Sequence, residues 1–293
     1  MAEPLVLALD GSTRVCSAAL VSTRRQVAGA AGQVWRSTWE AVAERTEVDD
    51  RGQAKVLLRM VDEMLQETGN QPGDLDAIVV GVGPGTFTGV RIAVATARAL
   101  SLALAIPVAG VSTLGGLASA AAVALDGVTG SCAASRLLVP VVDARRSQLF
   151  YGLYEREADG TRGTGTWKRS VPFAVCDRGA LSEVLAGRAE SAVIVAEDGE
   201  LLGELPAGAQ LTAEVVQAVR LIVGQEWLEE PGEGPQGARL AGWLADSVAG
   251  KIPAVPEIVK PIYVRSPDAD IHITKMKDPW GDLPTGPGRA GGR

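Results

Sequence analysis

Apolar residues in this chain fall into short continuous blocks and longer stretches with a helical rhythm. Leu5-Val6-Leu7-Ala8-Leu9 is an unbroken apolar block closed by Asp10-Gly11-Ser12-Thr13, which reads as a buried strand ending in a polar turn. Residues 15–21 predict a second strand, with a hairpin turn over 22–26. A third strand is expected within 27–35, where glycines dilute the pattern. Then the period changes. Val56, Leu57, Met60, Val61, Met64 and Leu65 recur at helical spacing, with Lys55, Arg59, Asp62 and Glu63 between them, and Gly69-Asn70 followed by Pro72 ends the helix. Residues 78–82 predict another buried strand, which runs straight into Gly83-Pro84-Gly85-Thr86-Phe87-Thr88-Gly89. A second helix is expected over 90–105. It is apolar almost all round, apart from Arg91, Thr96, Arg98 and Ser101, so it needs cover on more than one side. One of those sides can be a subunit interface.

The pattern then partly repeats. Leu138-Val139-Pro140-Val141-Val142-Asp143 is again an apolar strand closed by an aspartate turn, and residues 148–154 predict its hairpin partner. Val193-Ile194-Val195-Ala196 predicts a further strand with the polar tip Glu197-Asp198-Gly199. A helix is expected over 213–223, a Pro/Gly/Glu loop over 229–237, and a last helix over 239–248. Two halves that each open with a strand, an aspartate turn and a returning strand point to a duplicated α/β architecture. The Gly/Pro/Arg-rich end of the chain is expected to be disordered.

Composition narrows the chemistry. The 293 residues are 46% hydrophobic and 22% charged, ordinary for a globular protein large enough for two domains. Cys16, Cys132 and Cys176 are widely spaced and form no CxxC, so they are expected to be reduced, packed thiols. No signal peptide or membrane span is expected, and the cytoplasm follows as the expected location. The net charge is −7, with no dense Lys/Arg block, so a direct grip on nucleic acid is not expected. The lone histidine, His272, argues against a Ser-His-Asp triad, a multi-histidine metal site or a histidine base in a cleft.

Three segments could carry chemistry. Asp10, with Gly11, Ser12 and Thr13, could hold a hydrated metal ion or face a phosphate; on spacing alone a turn that satisfies its own backbone is the better account. The 83–89 loop delivers the chain to a helix N-terminus, where Gly83, Gly85 and Thr86 could face an anion. It could instead be a tight connection anchored by Phe87. It is neither a Walker A loop nor a GxGxxG. Asp143-Ala144-Arg145-Arg146 is either a cleft carboxylate with nearby cations or a solvated turn.

Residues 7–13, the loop 83–89 with Val90-Arg91-Ile92, and residues 106–114 resemble the TsaB family, also called YeaZ. Asp143-Ala144-Arg145 and Pro261-Ile262-Tyr263-Val264-Arg265 fit the same pattern. The resemblance covers residues 5 to about 155 and returns at 261–265. It implies an actin-like (sugar-kinase/Hsp70-like) duplicated two-lobe fold. On it we expect a first lobe over 1–108 with a returning helix over 237–250, a second lobe over 109–236, and a tail over 267–293. It also implies a non-catalytic scaffold that forms homodimers, and heterodimers with a paralogous catalytic subunit of TsaD type. That subunit transfers a threonylcarbamoyl group to the adenosine beside the anticodon of certain tRNAs, and a small P-loop ATPase of TsaE type belongs to the system. Contact with tRNA would be indirect. No cofactor is expected to be required, with ATP or ADP at a shared subunit interface the one nucleotide option.

The two apolar helices are where the partner face is expected, through Val56, Leu57, Met60, Met64, Phe87, Arg91, Val94 and Arg98. The catalytic paralogue carries two metal-binding histidines where this chain has Thr113 and Leu117. Leucine cannot ligate a metal and threonine is a poor substitute, so no metal site is expected there. The same absence of histidines argues against a metallopeptidase. Gly52-Gln53 stands where many family members have a His-Ser pair, and Gly11 where the family usually has Thr, which bears on pairing and on nucleotide phosphate respectively. The alternative function is an active ATP-dependent kinase or ATPase of the same fold, with Asp10 and Asp143 as the cleft carboxylates. Against it, Glu197 and Asp198 would repel a phosphate in the second lobe.

Overall fold

The structure, a computed structural model, describes residues 3–25, 37–48, 53–126, 136–156, 166–185, 187–188, 192–196, 201, 209–212, 217–222, 228–229, 238–256 and 259–264. The strand expected within 27–35, the tip Glu197-Asp198-Gly199, Cys132, His272 and the tail lie outside the described residues.

The first sheet contains β1 (Leu5–Asp10), β2 (Val15–Arg25), β3 (Ser37–Val48), β4 (Ala77–Gly81) and β5 (Val108–Val111), in the order β3-β2-β1-β4-β5. β2 runs antiparallel to β1 and β3, while β4 is parallel to β1 and β5. Every residue of β1 is buried because both faces of the sheet are covered. Leu5, Leu7, Leu9, Ile78 and Val80 face α1 (Gln53–Thr68) and α2 (Phe87–Leu104). Val6, Ala8, Val79 and Ala109 pack instead with Val219 and Ile222, and with Leu240 and Leu244 of the last described helix, Ala238–Val248.

The second sheet repeats this plan. β6 (Leu137–Arg145) is its centre, paired antiparallel with β7 (Gln148–Tyr151) and β8 (Tyr154–Arg156). These two are halves of one returning strand, and β9 (Trp167–Arg169) and β10 (Ala174–Asp177) pair outside them. On the other side β6 is parallel to β11 (Ala192–Ala196), which is parallel to β12 (Ala209–Thr212). Read outward from its centre, the second sheet has the strand order and directions of the first. The expected strand over 148–154 is split, with a physical cause. Pro140, in the centre of β6, has no N–H to offer the ladder. Opposite it the returning strand is interrupted at Gly152 and Leu153, and Gly152 N donates to Pro140 O at 3.2 Å.

The connecting helices cross between the halves. α3 (Thr113–Asp126) follows the first sheet yet packs Leu114, Leu117, Ala121 and Leu125 against Leu138, Val142, Phe150 and Val195 of the second. The short α5 (Gln217–Arg220), which follows the second sheet, lies on β1 and β2 of the first and touches α3. The helix that follows the first sheet thus covers the second, and the short helix that follows the second covers the first. α4 (Leu181–Val184) packs Leu181 on the far face of the second sheet, and Ala238–Val248 is α6.

α2 is the one described helix long and apolar enough to cross a membrane by composition. Its apolar character has a local account: Val90, Ala93, Val94 and Ala97 are buried against the first sheet.

Candidate functional site

The site is built where β1, the 83–89 loop and α3 meet. β1 ends on Asp10, which is 1% exposed. Its carboxylate accepts hydrogen bonds from Ser12 N at 2.7 Å and from the Ser12 hydroxyl at 2.5 Å. The Ser12 hydroxyl in turn accepts from Thr113 Oγ1 at 2.8 Å, which ties the β1 turn to the first residue of α3. Thr113 N donates to Gly83 O at 2.8 Å. Thr13 turns its hydroxyl back on its own backbone, accepting from Val15 N at 3.2 Å.

The glycines of the 83–89 loop serve close approach, and what they approach is this chain. A Cβ on Gly85 would lie 2.0 Å from Ser12 O, and one on Gly89 1.9 Å from Gly11 O. Thr86 N donates to Ser12 O at 2.6 Å. α2 begins at Phe87, three residues before the expected start, so Thr88 and Gly89 belong to its first turn. From the other side, a Cβ on Gly81 would lie 2.7 Å from the Asp10 carboxylate. Asp10 is therefore closed in by β4, its own turn and the loop. A nucleotide phosphate or hydrated metal ion does not fit against it as these residues stand.

Burial pushes the Asp10 carboxyl above the usual aspartate value. The Ser12 hydrogen bonds and the positive charge of buried Arg220 counter the shift only in part. The folded state thus holds the Asp10 proton more tightly than the unfolded chain. The stability this contributes is fully present below the unfolded value of about 3.9 and is lost as pH rises through the higher folded value. The stability of the parent relative to Asp10→Asn, whose amide does not titrate, is expected to fall from about pH 4 to neutral. Urea unfolding of both proteins across that range checks this; a difference that grows with pH contradicts it.

Asp143 stands apart from this network. It accepts from Arg178 at 3.1 Å and from Arg145 N at 2.8 Å, in a hairpin tip where Arg145, Arg146 and Ser147 all have positive φ. Among the described residues no three His, Cys, Asp or Glu side chains could share a metal ion. Leu117 is fully buried in the second-lobe core.

The expected partner face needs correction. Val56, Leu57, Met60, Met64 and Val94 are buried core residues that face the first sheet, so they cannot touch a partner directly. Their helical spacing marks the inner side of each helix. Arg98 is half-buried, and Phe87 and Arg91 are exposed. The outward side of α2 carries Thr88, Arg91, Ala95, Ala99 and Leu102, and Leu58 is exposed on α1.

At the start of α2 the Arg91 guanidinium lies 3.6 Å from the centre of the Phe87 ring. Arg91 Nε donates to the Tyr263 hydroxyl at 2.7 Å, and the two rings are 5.4 Å apart. The segment carrying Tyr263 is fastened to the sheet by Ile262 N, which donates to Val82 O at 2.7 Å. The roles of two residues at the site escaped the sequence reading. Arg220 is a charge flanked by the apolar Ala218, Val219, Leu221 and Ile222, a signal that could have found it. Tyr263 was read only within the segment 261–265, and its clamp on Arg91, which joins residues 172 apart, is not visible in local pattern.

The family model for tRNA N6-adenosine threonylcarbamoyltransferase (TsaD) matches residues 43–163. No curated protein matches the chain. Two solved structures from Pseudomonas aeruginosa are similar over most of its length. One is an uncharacterized protein with similarity to the peptidase YeaZ, 25% identical, covering 89% of this chain and 100% of its own, with a TM-score of 0.55. The other is YeaZ, 26% identical over 89% of this chain and 99% of its own, with a TM-score of 0.55. The chain is thus TsaB/YeaZ-like, with a mixed α/β fold of the actin-like type.

Proposed function

We propose that this TsaB/YeaZ-like chain acts in the tRNA threonylcarbamoylation system as a non-catalytic scaffold subunit that pairs with a paralogous catalytic subunit. The observation that carries the reading is the state of the two positions that would hold the paralogue's metal. Thr113 has its hydroxyl engaged with Ser12, and Leu117 is buried in the second-lobe core. Neither offers a ligand, and the nearby Asp10 is enclosed. In this reading the chain rests as a homodimer and exchanges into a heterodimer in the cytoplasm. A small P-loop ATPase joins the assembly, tRNA is met through the catalytic partner, and any ATP or ADP sits at a shared subunit interface. The kinase alternative needs an accessible carboxylate as base, and burial of Asp10 disfavours it.

The test is light scattering during size-exclusion chromatography, on the chain alone and mixed with its host's threonylcarbamoyltransferase. A dimer that converts to a one-to-one heterodimer supports the reading. A chain that ignores the transferase removes it.

A further inference from the structure

Arg91 is held in a way an ordinary surface arginine is not. Its guanidinium is stacked on Phe87 and hydrogen-bonded through Nε to Tyr263, and among the described residues that is its one hydrogen bond. Both clamping rings are themselves open to solvent, Phe87 at 36% and Tyr263 at 47%. Side-chain freedom is therefore lost before any partner arrives, while neither terminal amino group is used in the bond to Tyr263. An exposed Arg flanked by aromatic rings has the composition of an interface anchor. The charge of the helix adds a second observation. α2 carries Arg91 and Arg98 and no carboxylate, in a chain of net charge −7. Its outward side continues from Arg91 through Ala95 and Ala99 to Leu102, a narrow apolar strip with a cation at its N-terminal end.

Paired through α2 with its own copy, such a helix brings two arginines from each side together and supplies no acid from either, while the carboxylates of the neighbouring α1 are already engaged, Glu63 by Arg59, Glu67 by Arg45 and Asp62 by Gln66. An acidic partner helix removes that repulsion and gives Arg91 a carboxylate to grip with its fork. We propose that the Phe87–Arg91–Tyr263 clamp is a preorganised receptor for an Asp or Glu side chain on a protein of different sequence, and that it biases the chain from self-pairing toward hetero-pairing. Tyr263 is a positioning residue that acts through Arg91. A single exposed guanidinium on an acidic protein suits a carboxylate better than the phosphates of an RNA, which call for several cations at once.

This inference rests on the scaffold reading, and the experiment separates the two. Affinity for the host's threonylcarbamoyltransferase and self-association of the chain are each measured by analytical ultracentrifugation at low and high salt. Parent, Arg91→Glu, Arg91→Lys and Tyr263→Phe are compared, with thermal melts confirming that each variant is folded. Arg91→Glu is expected to weaken hetero-pairing about a hundredfold while leaving self-association unchanged or tighter. Tyr263→Phe, which keeps the ring and loses the hydroxyl, is expected to weaken hetero-pairing about fivefold. Salt should weaken hetero-pairing and not self-association. A parent that pairs with the transferase while Arg91→Glu pairs equally well overturns this inference alone. Equal losses in both kinds of pairing also overturn it. A parent that does not pair with the transferase overturns the scaffold reading as well.

Discussion

Gly89→Ala is expected to prevent the first lobe from folding, or to destabilise it by at least about 4 kcal/mol, at the extreme end of single substitutions. The added methyl would lie 1.9 Å from Gly11 O. The obstacle is backbone on both sides, held by β1 and by the first turn of α2, so no side-chain rotation relieves it. Gly85→Ala meets the same problem at 2.0 Å from Ser12 O and should behave alike. A native protein holds only about 5–15 kcal/mol in all, so either change takes a large share. Gly73→Ala is the control: nothing lies within 4 Å of its added Cβ, and its effect should stay within about 0.5 kcal/mol. Urea unfolding of the soluble variants, with expression yield for the rest, reads all three. Near-parental stability of Gly89→Ala would mean that the loop does not lie on the Asp10 turn as described.

Leu102→Asp is expected to weaken pairing about a hundredfold, roughly 3 kcal/mol, with little change in the stability of the lobe. Leu102 is 73% exposed on the outward side of α2, so a charge there costs little in the free chain, at most about 1 kcal/mol from a carboxylate in the last turn of the helix. Within a packed interface the same carboxylate would lose its water. Leu58→Asp on α1 is the companion variant, and changes at Met60 or Met64 are not equivalent. Those side chains are core, and their loss would unfold the lobe and imitate a pairing defect. Light scattering on folded Leu102→Asp decides the matter. Normal pairing with the host's transferase would place the partner face elsewhere.

The sequence showed the fold where local pattern and environment agree. β1 is apolar throughout because helices cover both faces of its sheet, and its closing aspartate marked the turn. α1 was evident because its buried stripe faces one sheet. The same stripe misled on the interface, since periodicity reports which residues are buried and not what buries them. β3 is rich in Glu and Ala and was missed. It is a strand because β2, more than ten residues earlier, pairs along its length, and no local propensity says so. α3 escaped for the opposite reason: cover on more than one side leaves no polar face to set a rhythm. At the site, the Gly-rich loop was conspicuous, yet whether its glycines admit a ligand or another piece of backbone depends on contacts across some 75 residues. The close approach to Gly11 and Ser12 decides for backbone.

As proposed above, this chain supports a threonylcarbamoyl transfer that its partner performs. The most direct test is reconstitution with the host's purified transferase, P-loop ATPase, ATP, a threonylcarbamoyl donor and unmodified tRNA, with modified adenosine measured by mass spectrometry of the digested tRNA. The account predicts modification when this chain is present, little without it, and none from the chain in place of the transferase. Full modification without the chain, or modification by the chain with no transferase present, would contradict it.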